Sequence, residues 1–293
     1  MAASMNRRSA LKGIAGLGAA AGVGSLAASA EATASTQLKG HIKQSVTSWQ
    51  YDMSVDELAS AASEIGLVGI DYLPPSDWSA LEEHGLICTM AQGPEQTNTS
   101  TGFNHTENHE WLIPGYRTRI QETAEAGYEN VIAFSGQAQG LSDEQGLKNC
   151  AAGLREVVPV AEEHDVTICM EYLNSKVDHP DYQFDNMAWG LELVDRVGSE
   201  NFKILFDIYH VQIMEGDIIR KIRDHNDAIG HYHTAGVPGR NEINDTQELN
   251  YPAIMRAILE TDYQGYVGQE FIPTGDPVAT LREAAEICDV ALS

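Results

Sequence analysis

The chain predicts an α/β fold, a single (β/α)8 TIM barrel preceded by an N-terminal export signal. Three observations lead there. From residue 40 onward, eight short β-rich runs alternate with longer helical stretches. The runs are short and mostly apolar, as expected of strands in a parallel sheet covered on both faces. The first run is followed by Trp49, Gln50, Tyr51, Asp52 and Met53. The rival open, doubly wound sheet usually carries a Gly-rich phosphate turn at that point. Eight βα units in about 250 residues is the size of a TIM barrel.

In chain order the β-rich runs are IKQSVTSW (42–49), VGIDYL (68–73), ICTMAQ (87–92), NVIAFSG (130–136), VTICMEYL (166–173), FKILFDIY (202–209), IGHYHTAG (229–236) and YVGQEFI (266–272). The first helix opens on a capping box, Ser54 with Glu57, and stops at Gly66. Residues 76–85 and 107–127 are the second and third helical stretches, each ending on a glycine. The fourth, 142–165, opens at Ser142, and stretches 186–199, 216–228, 250–262 and 277–292 supply the rest. No linker or low-complexity tract interrupts this series. The expected organisation is a signal segment over 1–30, a short linker over 31–40 and a catalytic barrel over 41–293.

The leader differs in kind. Met5–Lys12 reads MNRRSALK, a Gly/Ala-rich apolar run follows, and Ala28-Ser29-Ala30 closes it, with no acid before Glu31. A basic start, a modest apolar stretch and a small-residue ending are the parts of an export signal. Arg7-Arg8 with Leu11 and Lys12 resembles a twin-arginine signal, although Ala10 stands where that pattern usually has Phe. A membrane anchor is the competing reading, but glycines break the run and it would span poorly. The expectation is export, to a periplasmic location.

Eighteen Lys and Arg against 43 Asp and Glu give a net charge of −25. Phosphate contacts need a basic face, so this acidic chain is not expected to bind nucleic acid or an anionic membrane. A small molecule is the expected partner, and a second copy of the chain remains open. Cys88, Cys150, Cys169 and Cys288 show no C-x-x-C spacing and read as buried small hydrophobes.

Function in this barrel class sits at the C-terminal ends of the strands. Glu171 stands late in the fifth run, Asp207 in the sixth, His231 and His233 in the seventh, and Glu270 in the eighth. A single late-strand acid reads as an ion-pair partner. Four such groups in consecutive strands read differently, because buried acids repel one another and lose hydration unless a cation joins them. Glu171, Asp207, His233 and Glu270 are therefore the expected ligands of one divalent ion. Oxygen-rich ligation favours Mn²⁺, Mg²⁺ or Co²⁺. His233 is chosen over His231 because it lies nearer the mouth, which leaves His231 as a packed or supporting residue. His210, three residues after Asp207, reads equally as loop surface or as a donor to a ligand oxygen. Arg240, in the loop AGVPGRNEIND, is a surface ion pair or a clamp on substrate oxygens. Asn174 is a candidate substrate contact. Trp49 and Trp111 read as apolar wall or core.

The runs MEYLNS, LFDIYHVQIMEGD, GHYHTAGVPGRNEI and GYVGQEF resemble the strand-end motifs of the hydroxypyruvate isomerase family, among the xylose isomerase-like barrels. The resemblance covers the chain from about residue 40. It implies a metal set on Glu171, Asp207, His233 and Glu270, with the two glutamates as acid and base. It places substrate binding on His210 and Arg240. Some relatives carry Gln where His233 stands. The activity implied is an aldose–ketose type isomerisation of hydroxypyruvate and tartronate semialdehyde through an enediolate. A sugar or keto-sugar epimerase or isomerase would use the same residues. A metal nuclease would need more histidines and a basic groove, and a non-catalytic sugar-binding protein would not need the acid pair.

Overall fold

The computed structural model describes residues 38–292. The expected export signal, residues 1–30, lies outside the described residues, as does most of the expected linker. Eight parallel strands close a barrel in sequence order: β1 (Lys43–Thr47), β2 (Gly69–Leu73), β3 (Ile87–Ala91), β4 (Asn130–Ala133), β5 (Thr167–Glu171), β6 (Phe202–Asp207), β7 (Ile229–Thr234) and β8 (Tyr266–Gln269). The helices are α1 (Val55–Ile65), α2 (Ser79–Glu82), α3 (His109–Glu125), α4 (Asp143–His164), α5 (Met187–Val197), α6 (Ile208–Met214), α7 (Ile218–His225), α8 (Tyr251–Leu259) and α9 (Pro277–Cys288). No helix among the described residues is long and apolar enough to cross a membrane.

Local chemistry explains where the helices start. Ser54 and Glu57 form the reciprocal capping box of α1, and Gly66 ends that helix in the left-handed region at φ 98°. Ser142, Asn186 and Asp276 accept from the third backbone N–H of α4, α5 and α9. Strand residues such as Val46, Ile70, Val131, Ile168 and Val267 are fully buried, since the sheet is covered by helices outside and packed side chains inside. All four cysteines are buried and unpaired.

Most strands end one to three residues before the β-rich runs do, and three departures matter most. The second helical stretch, 76–85, is a 3-10 turn at Pro75–Asp77 followed by the short α2. The eighth run stops pairing at Gln269, so Glu270 stands just past the strand. The sixth run ends at Asp207 rather than Tyr209. Asp207 caps α6 by accepting from the N–H groups of Tyr209 (2.7 Å) and His210 (3.2 Å). His210 therefore lies in the first turn of a helix and is fully buried, which corrects the loop-surface reading.

Register places the strand-end groups. Asp207 on β6 pairs with His233 on β7, and His233 pairs with Gly268 on β8. Glu171 pairs with Leu205, two residues before Asp207. Residues two apart share a strand face, so Leu205 and Asp207 both face the barrel interior beside Glu171.

Candidate active site

Ligand atoms from Glu171, Asp207, His233 and Glu270 all lie within 4.8 Å of one another, and all four residues are buried. His233 Nδ1 lies 3.3 Å from Glu171 Oε1 and 3.1 Å from Glu270 Oε2. Asp207 Oδ1 is occupied by its cap contacts, whereas Asp207 Oδ2 is buried without a hydrogen-bond partner. A buried carboxylate oxygen with no donor is costly unless a cation or proton meets it. Three carboxylates and one imidazole with such a free oxygen fit a hard divalent ion.

The charges in this cage do not balance by themselves. Burial, and then repulsion from Glu270, pushes the carboxyls of Glu171 and Asp207 above the usual carboxylate range. Burial works the same way on Glu270, but Arg240 and then His233 outweigh it and hold that carboxyl well below its ordinary value. Burial alone would depress His233. Glu270, with Asp71 and Glu171, instead raises it well above the ordinary histidine value.

Arg240 is held over the mouth. Its Nη2 donates to Glu270 Oε2 at 2.8 Å and lies 3.9 Å from Asp207 Oδ2. The guanidinium carbon sits 5.1 Å from the Trp49 ring centroid and 5.5 Å from that of Tyr209, within cation–π range of both. Trp49 is 46% exposed, and its Nε1 donates to Glu270 Oε1 at 2.9 Å. Arg240 Nε is buried and unpartnered, which leaves a donor facing the site.

His210 is oriented from below. Its Nδ1 lies 2.6 Å from Asn174 Nδ2 and accepts from the Asn174 backbone N–H at 3.2 Å. With Nδ1 accepting, the ring proton stands on Nε2, 3.5 Å from the free oxygen of Asp207. Burial, and then Arg240, holds this imidazole well below its ordinary pKa, so it is a neutral donor. Asn174 itself is fully buried. Its amide also binds Asp178, and its Oδ1 accepts from the N–H groups of Val177 and Asp178. Asn174 thereby supports His210 from beneath, with its side-chain amide engaged by protein partners.

Above the cage opens a cavity of about 240 Å³. Glu171, Glu270, Arg240, His179 and Thr99 supply its polar lining, and Trp49, Tyr72, Ile132, Phe134 and Leu173 its apolar wall. Trp111 lies elsewhere, on a groove beside α3.

Sequence reasoning missed several of these residues. Asp71 is completely buried on β2 and meets both His231 (2.7 Å) and His233 (3.2 Å) through Oδ2. The signal was present, since an acid in the apolar run VGIDYL is as anomalous as Glu171 in its own. His179 and Tyr72 carried no signal in the sequence. Tyr72 adopts a left-handed backbone at φ 62°, an uncommon state for an aromatic residue, at the cavity wall.

The family described as xylose isomerase-like TIM barrel matches residues 53–289. The 2-oxo-tetronate isomerase of Cupriavidus necator is 37% identical over 237 residues, covering 78% of this chain and 90% of the relative. The hydroxypyruvate isomerase of Escherichia coli is 29% identical over 234 residues, covering 79% and 83%. The crystal structure of 3-keto-D-glucoside 4-epimerase from E. coli superposes with a TM-score of 0.70 at 20% identity, covering 83% of this chain and 97% of that one.

Proposed function

Because the chain belongs to the xylose isomerase-like TIM barrel family, we propose that it is a metal-dependent isomerase of small α-hydroxycarbonyl compounds, with hydroxypyruvate and tartronate semialdehyde as the leading substrate pair. One observation carries this reading: a buried set of three carboxylates and one imidazole converges at the floor of a cavity on the catalytic end of the barrel. The curated relatives named above are isomerases of compounds with this α-hydroxycarbonyl pattern.

Glu171, Asp207, His233 and Glu270 would hold the ion, with Mn²⁺, Mg²⁺ or Co²⁺ suited to the oxygen-rich donor set. A dication there would act as a Lewis acid and relieve the negative charge that grows on the substrate oxygens. Glu171 and Glu270, on β5 and just past β8, reach the cavity from opposite flanks of His233. One takes the proton from the hydroxyl-bearing carbon, giving an enediolate, and the other returns a proton to the adjacent carbon that was the carbonyl, while the hydroxyl proton passes to the former carbonyl oxygen. His210 offers its Nε2–H, and Arg240 its Nε–H, to substrate oxygens.

The direct test is proton exchange. With diamagnetic Mg²⁺ in D2O, hydroxypyruvate should lose its carbon-bound proton signal by NMR and yield tartronate semialdehyde. No exchange with any hydroxycarbonyl compound would end the isomerase reading.

A sugar or keto-sugar epimerase is the second reading. The cavity favours it, because five apolar side chains wall a space larger than a three-carbon acid fills. A panel of ketoses in the same exchange assay separates the two. We further propose twin-arginine export, on the strength of Arg7 and Arg8 in the leader. Cell fractionation of the Arg7→Lys/Arg8→Lys variant should then find it retained inside.

A further inference from the structure

An imidazole that offers a lone pair on one nitrogen carries its proton on the other, and a buried N–H needs an acceptor. His233 is 1% exposed, so both of its nitrogens must be accounted for inside the protein. Nδ1 faces Glu171 and Glu270 of the cage. Nε2 faces the opposite way and meets Asp71 Oδ2 at 3.2 Å.

Asp71 is built to accept. Oδ2 also meets His231 Nε2 at 2.7 Å, and Oδ1 takes the hydroxyl of Thr89. All of these groups are buried to 1% exposure or less. An ionised carboxylate only accepts, so each partner must present a proton to it. That keeps a proton on His233 Nε2, so Nδ1, facing Glu171 and Glu270, is the nitrogen that would give up its proton and offer a lone pair to an arriving cation.

The barrel makes room for this contact. Asp71 is on β2 and His233 on β7, with β8 and β1 between them. The crossing passes over Gly268, which is the register partner of His233. A methyl group at Gly268 would collide with Asp71 Oδ2 and sit 2.9 Å from His233 Cδ2.

Asp71, His231 and His233 could also be read as a second cation site. Two donor atoms each about 2.1 Å from a tetrahedral ion lie roughly 3.4 Å apart. The 2.7 Å separation of His231 and Asp71 is instead a hydrogen bond.

We propose that Asp71 is a positioning residue, which keeps the proton on His233 Nε2 with Nδ1 turned to the cage, and thereby sets the affinity of the four-residue cage for its cation without touching it. The Nε2 proton claim stands on hydrogen bonding alone, and the affinity claim rests on the metal reading of the cage.

Two measurements test it. In the metal-free wild type, long-range ¹⁵N–¹H spectra, assigned with His233→Gln, should show a proton on Nε2, whether or not Nδ1 carries a second one towards Glu171 and Glu270. An Nε2 without a proton overturns the proposal. Mn²⁺ titration by calorimetry should give one ion per chain. Asp71→Asn should weaken it about 10- to 100-fold, with turnover at saturating Mn²⁺ close to wild type. Gly268→Ala should weaken Mn²⁺ in the same direction and serves if Asp71→Asn folds poorly. Unchanged affinity in both variants overturns the positioning role. Two ions per chain, one of them lost in His231→Gln, overturns it in favour of a second metal site. A wild type that binds no Mn²⁺ overturns the affinity claim together with the metal reading, while the nitrogen spectrum still decides the proton on Nε2.

Discussion

Replacing Glu171 and Glu270 by glutamine, one at a time, separates proton transfer from cage assembly. Glutamine keeps the shape and one ligating oxygen but cannot carry the proton. General acid–base catalysis is worth about 10²–10⁴ in rate, or roughly 2.7–5.5 kcal/mol at 1.36 kcal/mol per tenfold. The two variants should not behave alike. Among the described residues, the Glu171 side chain has one partner within hydrogen-bond range, His233 Nδ1. Both oxygens of Glu270 are engaged, Oε1 by Trp49 and Oε2 by Arg240. Glu171→Gln should therefore lower kcat by at least ~10²-fold with KM little changed. Glu270→Gln should lower kcat and also raise KM, because Arg240 loses a charge-assisted bond of about 1.5–3 kcal/mol. A share of that bond lost from substrate alignment raises KM about tenfold. Steady-state rates and C–H exchange by NMR, with Mg²⁺ content measured in each sample, read both quantities. Full Mg²⁺ occupancy with wild-type turnover in both variants would refute the two-glutamate mechanism.

Other substitutions probe the surroundings. Trp49→Ala removes one cation–π face of Arg240 and a donor to Glu270, and should raise KM about 2- to 30-fold in steady-state assays. Asn174→Ala strips His210 Nδ1 of its side-chain partner; urea unfolding should show a loss of about 1–3 kcal/mol. Ser54→Ala removes the α1 cap at a surface-exposed residue, and should cost about 1 kcal/mol in the same assay with turnover unchanged.

The barrel was legible in the sequence because its strands are buried on both faces and helix starts are marked by capping residues such as Ser54 and Ser142. The four cage residues were legible for a related reason. Charge late in an apolar strand is expensive, so Glu171, Asp207 and His233 stand out, and Glu270 follows directly on β8. Asp71 had the same signal, but it is the third residue of β2, below the rim where ligands were sought. The extent of β6 was not legible. Ile208 and Tyr209 read as strand, but the Asp207 side chain satisfies two backbone donors and starts α6 at once. His179 and Tyr72 depend on how loops and backbone twist close over the mouth, and no local pattern encodes that closure.

The charge balance of the cage yields a last prediction. Glu171, Asp207 and Glu270 bring three acids together; Arg240 supplies a lasting positive charge beside them, and His233, raised well above its ordinary value, adds a proton of its own that an arriving ion must displace. Without a cation, the carboxyls of Glu171 and Asp207 are pushed above their usual range and so retain protons to higher pH. An arriving dication needs those oxygens ionised, so ion and protons compete for the same atoms. Each carboxyl whose proton must leave makes binding weaker as pH falls below its raised pKa and has no further effect above it. Mn²⁺ affinity should therefore climb with pH and level off, with more protons released per ion near about pH 6 than near about pH 8. Calorimetry in buffers of different ionisation enthalpy counts those protons directly. Glu171→Gln removes one of the competing carboxyls and should flatten the climb. Mn²⁺ binding that releases no protons at either pH would mean that the acids are already ionised without the ion, and that the cage is neutralised by some other group.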